Sequence, residues 1–158
     1  AIDNDASRIA RTKTNLDRLQ LKAELQIADA ATPNDWWDGK LFDRILADVP
    51  CTASGIVRRH VDIKWLRREA DIASFAKQQA RILPSLWQLL AKGGKLLYVT
   101  CSIFHEENQR QIDHFLKTQS DASQLPLTEP LAGLDLKNGQ LQPSATHDGL
   151  FYALLQKN

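Results

Sequence analysis

The sequence predicts an α/β fold, a mainly parallel sheet with helices on both faces, and two observations carry that prediction. Short apolar stretches of strand character alternate with amphipathic helical stretches along the chain. Four polar residues, Asp3, Asp29, Asp48 and Cys101, fall where predicted strands end, the place at which open parallel sheets bind their ligands. With 158 residues, 43% of them hydrophobic, the chain can bury one core, and residues 1–158 are expected to form one domain.

The elements follow in order. Ala1-Ile2-Asp3 reads as the end of a buried strand, and Asn4 or Asp5 can cap a helix running to about Leu19, with Ile9, Leu16 and Leu19 on one face. Glu24 to Ala28 is a short strand, followed by a turn region from Thr32 to Lys40 that holds Pro33, Asn34 and Gly39. Phe42 to Asp48 reads as a buried strand stopped by Pro50, and a long loop follows from Cys51 to about Arg68. Ile72, Phe75, Ala76, Ile82, Leu83, Leu86, Leu89 and Leu90 recur at helical spacing, with Pro84 predicting a kink or break and Gly93-Gly94 the end. Lys95 to Cys101 is a second buried strand. Glu106 and Glu107 then fall in the first turn of a helix, where acidic side chains favour the dipole, and Ile112, Phe115 and Leu116 form its apolar face. From Thr118 to Asp148 periodicity is weak, punctuated by Pro126, Pro130, Gly133, Gly139 and Pro143, and a strand from Leu150 to Leu155 closes the chain.

Composition excludes several classes. A net charge of +1 makes any basic surface local, and no apolar run reaches the roughly 18 residues that span a bilayer. Two cysteines make no disulfide framework, and no cysteine or histidine pair has ligand spacing, so no metal is expected. Met is absent and no signal pattern opens the chain, which reads as a piece of a longer cytoplasmic protein.

The strand-end residues suggest chemistry. A carboxylate after the first strand, Asp3, commonly takes ribose hydroxyls of a nucleoside cofactor, and Asp29 is placed to accept from an adenine amino group. A strand-end Asp is more often a simple loop acceptor, but four polar ends in register outweigh that reading. Asp48-Val49-Pro50-Cys51 and Val99-Thr100-Cys101-Ser102 are sharper signals. Carbon 5 of cytosine is a poor nucleophile until a thiolate adds to carbon 6 and turns the ring into an enamine. Covalent catalysis of this kind divides one hard step into easier ones. A carboxylate beside ring N3 supports the adduct, and a second acid/base group must then remove the carbon-5 proton. Cys51, Cys101 and Asp48 supply these types, and adjacent parallel strands would bring the two thiols together.

Those two motifs, joined by Arg58-Arg59-His60-Val61-Asp62-Ile63-Lys64-Trp65-Leu66-Arg67-Arg68 and closed by Asp148-Gly149-Leu150-Phe151-Tyr152-Ala153, resemble the Sun/Fmu (RsmB-type) ribosomal RNA cytosine-C5 methyltransferases. The resemblance covers essentially the whole chain and is specific because both motifs are present. It implies a Rossmann-like class I methyltransferase fold, S-adenosyl-L-methionine as cofactor and small-subunit ribosomal RNA as partner. The residues alone leave open which cysteine attacks; the resemblance implies Cys101 as nucleophile and Cys51 as the thiol that helps resolve the product. It also implies that Asp48 orients the cytosine and borders the cofactor, with Asp3 and Asp29 as ribose and adenine contacts. The chain departs from the family at Val49, usually Ala, and at Val61, usually Pro; both stay apolar and activity is expected to survive. The family's first strand, its Gly-rich cofactor loop with a lysine, and its N-terminal RNA-binding domain are expected upstream of Ala1. The isolated piece is therefore expected to bind cofactor poorly and to be inactive.

Arg58, Arg59, His60, Lys64, Trp65, Arg67 and Arg68 form a basic loop that composition alone reads as a solvated face. Its position after Cys51 and Trp65 as a stacking surface weigh against that reading, and the resemblance tips it towards RNA contact. His105 is expected at the surface, not paired with Cys101, and Trp36, Trp37 and Trp87 are expected to serve packing. Two other readings stay open: a non-catalytic RNA-binding module, and an exocyclic-amine methyltransferase that needs no thiol.

Overall fold

A computed structural model describes residues 1–127 and 136–158. It divides into two compact units, Ala1–Lys40 and Leu41–Asn158.

The first unit holds β1 (Ile2–Asp3), α1 (Ala6–Leu19), β2 (Gln26–Ile27) and one tight turn over Pro33–Asp35. Asp5, not Asn4, caps α1: its backbone is extended and its carboxylate accepts the Ser7 N–H at 2.7 Å. Gln20, in the left-handed region at φ 55°, ends the helix and returns its N–H to Asp17. β1 and β2 pair in parallel, with Asp3 opposite Ile27. No residue of this unit is fully buried, so Ile2 is only half-covered where a buried strand was expected.

The second unit carries, in chain order, β3 (Phe42–Asp48), α2 (Ile63–Leu66), α3 (Glu69–Gln88), β4 (Leu90–Thr100), α4 (Gln109–Thr118), β5 (Ala122–Leu125), β6 (Leu136–Lys137), β7 (Gln140–Leu141) and β8 (Leu150–Lys157). The strand order is β3-β4-β8-β7-β6, with β5 also on β8. β3 and β4 are parallel neighbours, whereas β8 runs antiparallel to β4, β5 and β7, so the sheet is mixed. The core lies along β4 and β8, where Leu90, Leu96, Tyr98, Phe151, Ala153 and Leu155 are buried. Leu83, Leu86 and Trp87 of α3 and Ile112 and Phe115 of α4 are buried as well, and the Trp87 and Phe115 rings meet edge to face at 5.2 Å.

Four local expectations change. β3 has the expected bounds but is not a buried strand: only Ala47 is buried and Leu46 is 68% exposed, because β3 ends the strand order. α3 continues through Pro84 without a break and stops at Gln88, five residues before Gly93. β4 then starts at once, since Phe42 N–H bonds to the Leu89 carbonyl at 2.8 Å, and the Gly93-Gly94 pair falls inside a register shift of the β3–β4 ladder. The loop after Cys51 is partly ordered into a turn at Ser54–Ile56 and the single turn of α2. Of the later punctuation residues, Pro130 and Gly133 lie outside the described residues. Among those described, no helix is long and apolar enough to cross a membrane.

Candidate active site

Parallel pairing sets the site. Asp48 lies opposite Val99, so the segments that follow, Val49-Pro50-Cys51 and Thr100-Cys101, leave the sheet at the same end. The two sulfur atoms, 50 residues apart in sequence, stand 3.4 Å apart, and both are half-buried. Asp48 is exposed, and its negative charge reaches Cys101.

The thiols differ in acidity. Cys101 is lowered from the ordinary thiol value because, once ionised, it accepts the Cys51 S–H, an effect that outweighs burial and the negative charges of Asp48 and Glu107. Cys51 is pushed far up because it gives that hydrogen bond, is buried, and faces the Cys101 charge. The contact thus favours ionisation of Cys101 over Cys51. Residue types alone leave that ordering open.

The supports of this pair lie where sequence patterning did not look. Glu107 was expected in the exposed first turn of a helix; it is fully buried, and α4 begins only at Gln109. Its carboxylate accepts from Thr52 N–H at 2.8 Å, from the Thr52 hydroxyl at 2.6 Å and from the Ser102 hydroxyl. Gly55 N–H bonds to the Cys101 carbonyl at 2.8 Å and Gly149 N–H to the Gly55 carbonyl at 2.8 Å. Gln79, fully buried, donates to the Pro50 carbonyl at 2.9 Å. Glu106 instead pairs with Arg110 at 2.6 Å, and His105 is exposed as expected. Of the two departures from the family pattern, Val49 is buried and Val61 is exposed.

The basic loop is less uniform than its composition. Arg58 and Arg59 both pair with Asp148, whose side chain is only 9% exposed, and Arg58 stands 3.3 Å from it. Arg67 donates to the Thr52 carbonyl at 2.8 Å and lies over the Phe75 ring. These three arginines therefore brace the cysteine loop. Trp65 is 72% exposed with Lys64 over its ring, and His60 and Arg68 are exposed.

In the first unit, Asp29 lines an open cleft of about 750 Å³ with Gln26, Ile27, Thr32, Asn34 and the two indoles of Trp36 and Trp37. Trp36 donates its ring N–H to the Asp29 carbonyl at 2.9 Å. The two tryptophans were expected as packing, and they are cleft walls instead. The signal was their position seven and eight residues after Asp29. Asp3 does not line this cleft; its carboxylate accepts Asp5 N–H at 2.8 Å and stands 3.7 Å from Arg8. Among the described residues, no group of three His, Cys, Asp or Glu side chains is placed to hold a metal ion.

The sequence profile described as "16S rRNA methyltransferase RsmB/F" matches residues 1–156. The chain belongs to this family. It is 48% identical over 158 residues to ribosomal RNA small subunit methyltransferase B of Shewanella oneidensis, and 46% identical over 157 residues to that of Yersinia enterocolitica. Each match covers 99% of the chain but only 37% and 36% of the relative, so the chain spans little more than a third of these proteins. The crystal structure of NSun6 from Pyrococcus horikoshii with SFG superposes with a TM-score of 0.84 at 26% identity, covering 99% of this chain and 40% of that one. The fold is thus that of class I methyltransferases, as expected, and the thiol pair and the Asp29 cleft belong to an RsmB/F-type chain.

Proposed function

We propose that the protein, in its full length, methylates carbon 5 of a cytosine in small-subunit ribosomal RNA through a covalent bond to Cys101. The observation that carries this reading is the pair of thiols at 3.4 Å, one made acidic by the other, beside Asp48 in an RsmB/F-type fold. Amine methylation has no use for such a pair.

The Cys101 thiolate adds to carbon 6, and the ring's electron pair moves towards carbon 5 while Asp48 favours a proton on ring N3. The cofactor, S-adenosyl-L-methionine when bound, supplies an electrophilic methyl group. The Asp29 cleft suits its adenosine part: a carboxylate and two indoles offer an acceptor and flat stacking surfaces. Asp3, one strand over, is the proposed ribose contact. Two of the causes that raise Cys51, its bond to Cys101 and the Cys101 charge, weaken as the reaction proceeds, while burial remains. Once Cys101 is bonded to carbon it no longer draws the Cys51 proton as a thiolate does, so Cys51 ionises more readily. It then takes the carbon-5 proton, the ring double bond re-forms, and the Cys101 sulfur leaves with its electron pair. Lys64, Trp65, Arg68 and His60 would meet the RNA by charge and stacking. Arg58, Arg59 and Arg67, exposed as well, would add charge there while their heads brace the loop.

RNA carrying 5-fluorocytosine tests the reading, because fluorine blocks the final proton loss and traps the adduct. The full-length protein is expected to form a denaturation-resistant RNA complex with cofactor present. That complex should vanish in Cys101→Ser, and residues 1–158 alone should give none. Loss in Cys51→Ser with persistence in Cys101→Ser would reverse the two roles. A parent protein that methylates without ever trapping RNA would remove the covalent route.

A further inference from the structure

Glu107 is a charged side chain with no exposed surface, in a position where neither the thiol chemistry nor the RNA surface needs it. Fully buried glutamates are rare, because desolvating a carboxylate is costly unless hydrogen bonds replace the lost water. Here they do, and their origin is informative. Among the described residues, every donor bonded to the Glu107 carboxylate comes from the residue directly after a site cysteine: Thr52, through both its backbone N–H and its hydroxyl, and Ser102 through its hydroxyl. The two hydroxyls also approach each other at 3.3 Å, and the Ser54 hydroxyl lies 3.3 Å from Thr52 and 3.2 Å from Ser102. The backbone of Glu107 is fixed as well, since its carbonyl accepts from the Tyr98 hydroxyl at 2.7 Å within β4.

We infer that Glu107 is a positioning residue that ties the Cys51 loop to the Cys101 loop and so sets the distance between the two sulfur atoms. It never touches substrate; it acts through Thr52 and Ser102. The inference rests on the proposed reaction for its kinetic consequence, but its geometric content stands by itself. Without the carboxylate, the Thr52 N–H and two hydroxyls lose a shared acceptor in a closed space. The loops are then joined by the hydroxyl contacts, the Ile103 N–H bond to the Ser54 hydroxyl at 3.0 Å, the thiol contact and the Gly55–Cys101 backbone bond, none of which replaces the shared acceptor. Glutamine keeps the shape and one acceptor oxygen. Its amide N–H₂ can donate to the two hydroxyls once they turn, so part of the tie survives.

The test measures proximity and rate separately, in the full-length protein carrying Glu107→Ala or Glu107→Gln. Proximity is read from the rate at which diamide, a mild thiol oxidant, joins Cys51 to Cys101, scored by mass spectrometry of the linked peptides. The expected result is slowing of about tenfold or more in Glu107→Ala and a smaller slowing in Glu107→Gln. In parallel, kcat on RNA should fall by on the order of 10²-fold in the alanine variant, as for a misplacement of about 1 Å, and recover partly in the glutamine variant. KM for the cofactor should not move. Unfolding of the alanine variant would leave the glutamine variant to decide, since its circular dichroism is expected to match the parent. Cross-linking as fast as the parent in a folded glutamine or alanine variant overturns the inference, whatever the activity. Slowed cross-linking in a protein whose parent shows no cytosine methylation would keep the inference and sink the proposed reaction.

Discussion

The sulfur atoms of Cys51 and Cys101 share one proton more readily than they lose two, so neither titrates as an isolated thiol. Cys101 is the more acidic member because its ionised form accepts the Cys51 S–H. Removing that donor in Cys51→Ala should move the ionisation of Cys101 up, towards the ordinary thiol range, while Cys51→Ser, which keeps a hydroxyl donor, should move it less. The sign is fixed: below its own titration point Cys101 is a thiol and alkylates slowly, so the rate profile with iodoacetamide shifts to higher pH in the alanine variant. An unmoved profile would mean that the S–H···S contact does not set the acidity. At this scale the sequence was informative about which strand-end groups would meet and silent about their supports. The approach of Cys51, Cys101 and Asp48 was legible because such side chains are unusual at strand ends. Glu107 was not, because a local pattern of acid before an apolar helical face reads as a helix start. Its burial is decided by Thr52, 55 residues away.

Among the elements of the second unit, α3 and β4 connect the cysteine loops to the core. α3 closes the crossover between parallel strands and reaches the site through Gln79, which holds the Pro50 carbonyl. Its other end is anchored by Trp87, which packs on Phe115, donates to Asp121 at 2.9 Å and offers its carbonyl, with that of Leu90, to Lys157. Trp87→Ala should therefore cost about 3–5 kcal/mol of stability, and Trp87→Phe appreciably less, as read by thermal or denaturant unfolding. Equal losses in both would mean that the Asp121 bond, not the packing, is what matters. The bounds of β3 and α1 and the start of the last strand were readable from periodicity and caps, whereas α4 starts later than the acidic pair suggested. The burial of β3 was not, since a run of apolar residues does not state whether the strand will have neighbours on both sides. The end of α3 was misplaced by glycines that in fact serve a bulge in the ladder.

For the molecule as a whole, the two units differ in how much they bury. Ala1–Lys40 contains no fully buried residue, whereas the second unit holds its core along β4 and β8. Amide hydrogen exchange on residues 1–158 should therefore show β1, β2 and α1 exchanging fast and β4 and β8 exchanging slowest. Uniform protection across both units would contradict this. The alternation that predicted an α/β fold was legible because it is local; the mixed direction of the sheet was not, because the sense of β8 depends on a return path through weakly patterned chain. The parallel pairing of β3 with β4 has one last consequence. It is a long-range event, closed only when the whole α3 crossover has been laid down. A nascent or unfolded chain thus carries two separate thiols of ordinary acidity, and the contact that distinguishes one from the other arises only with the final topology.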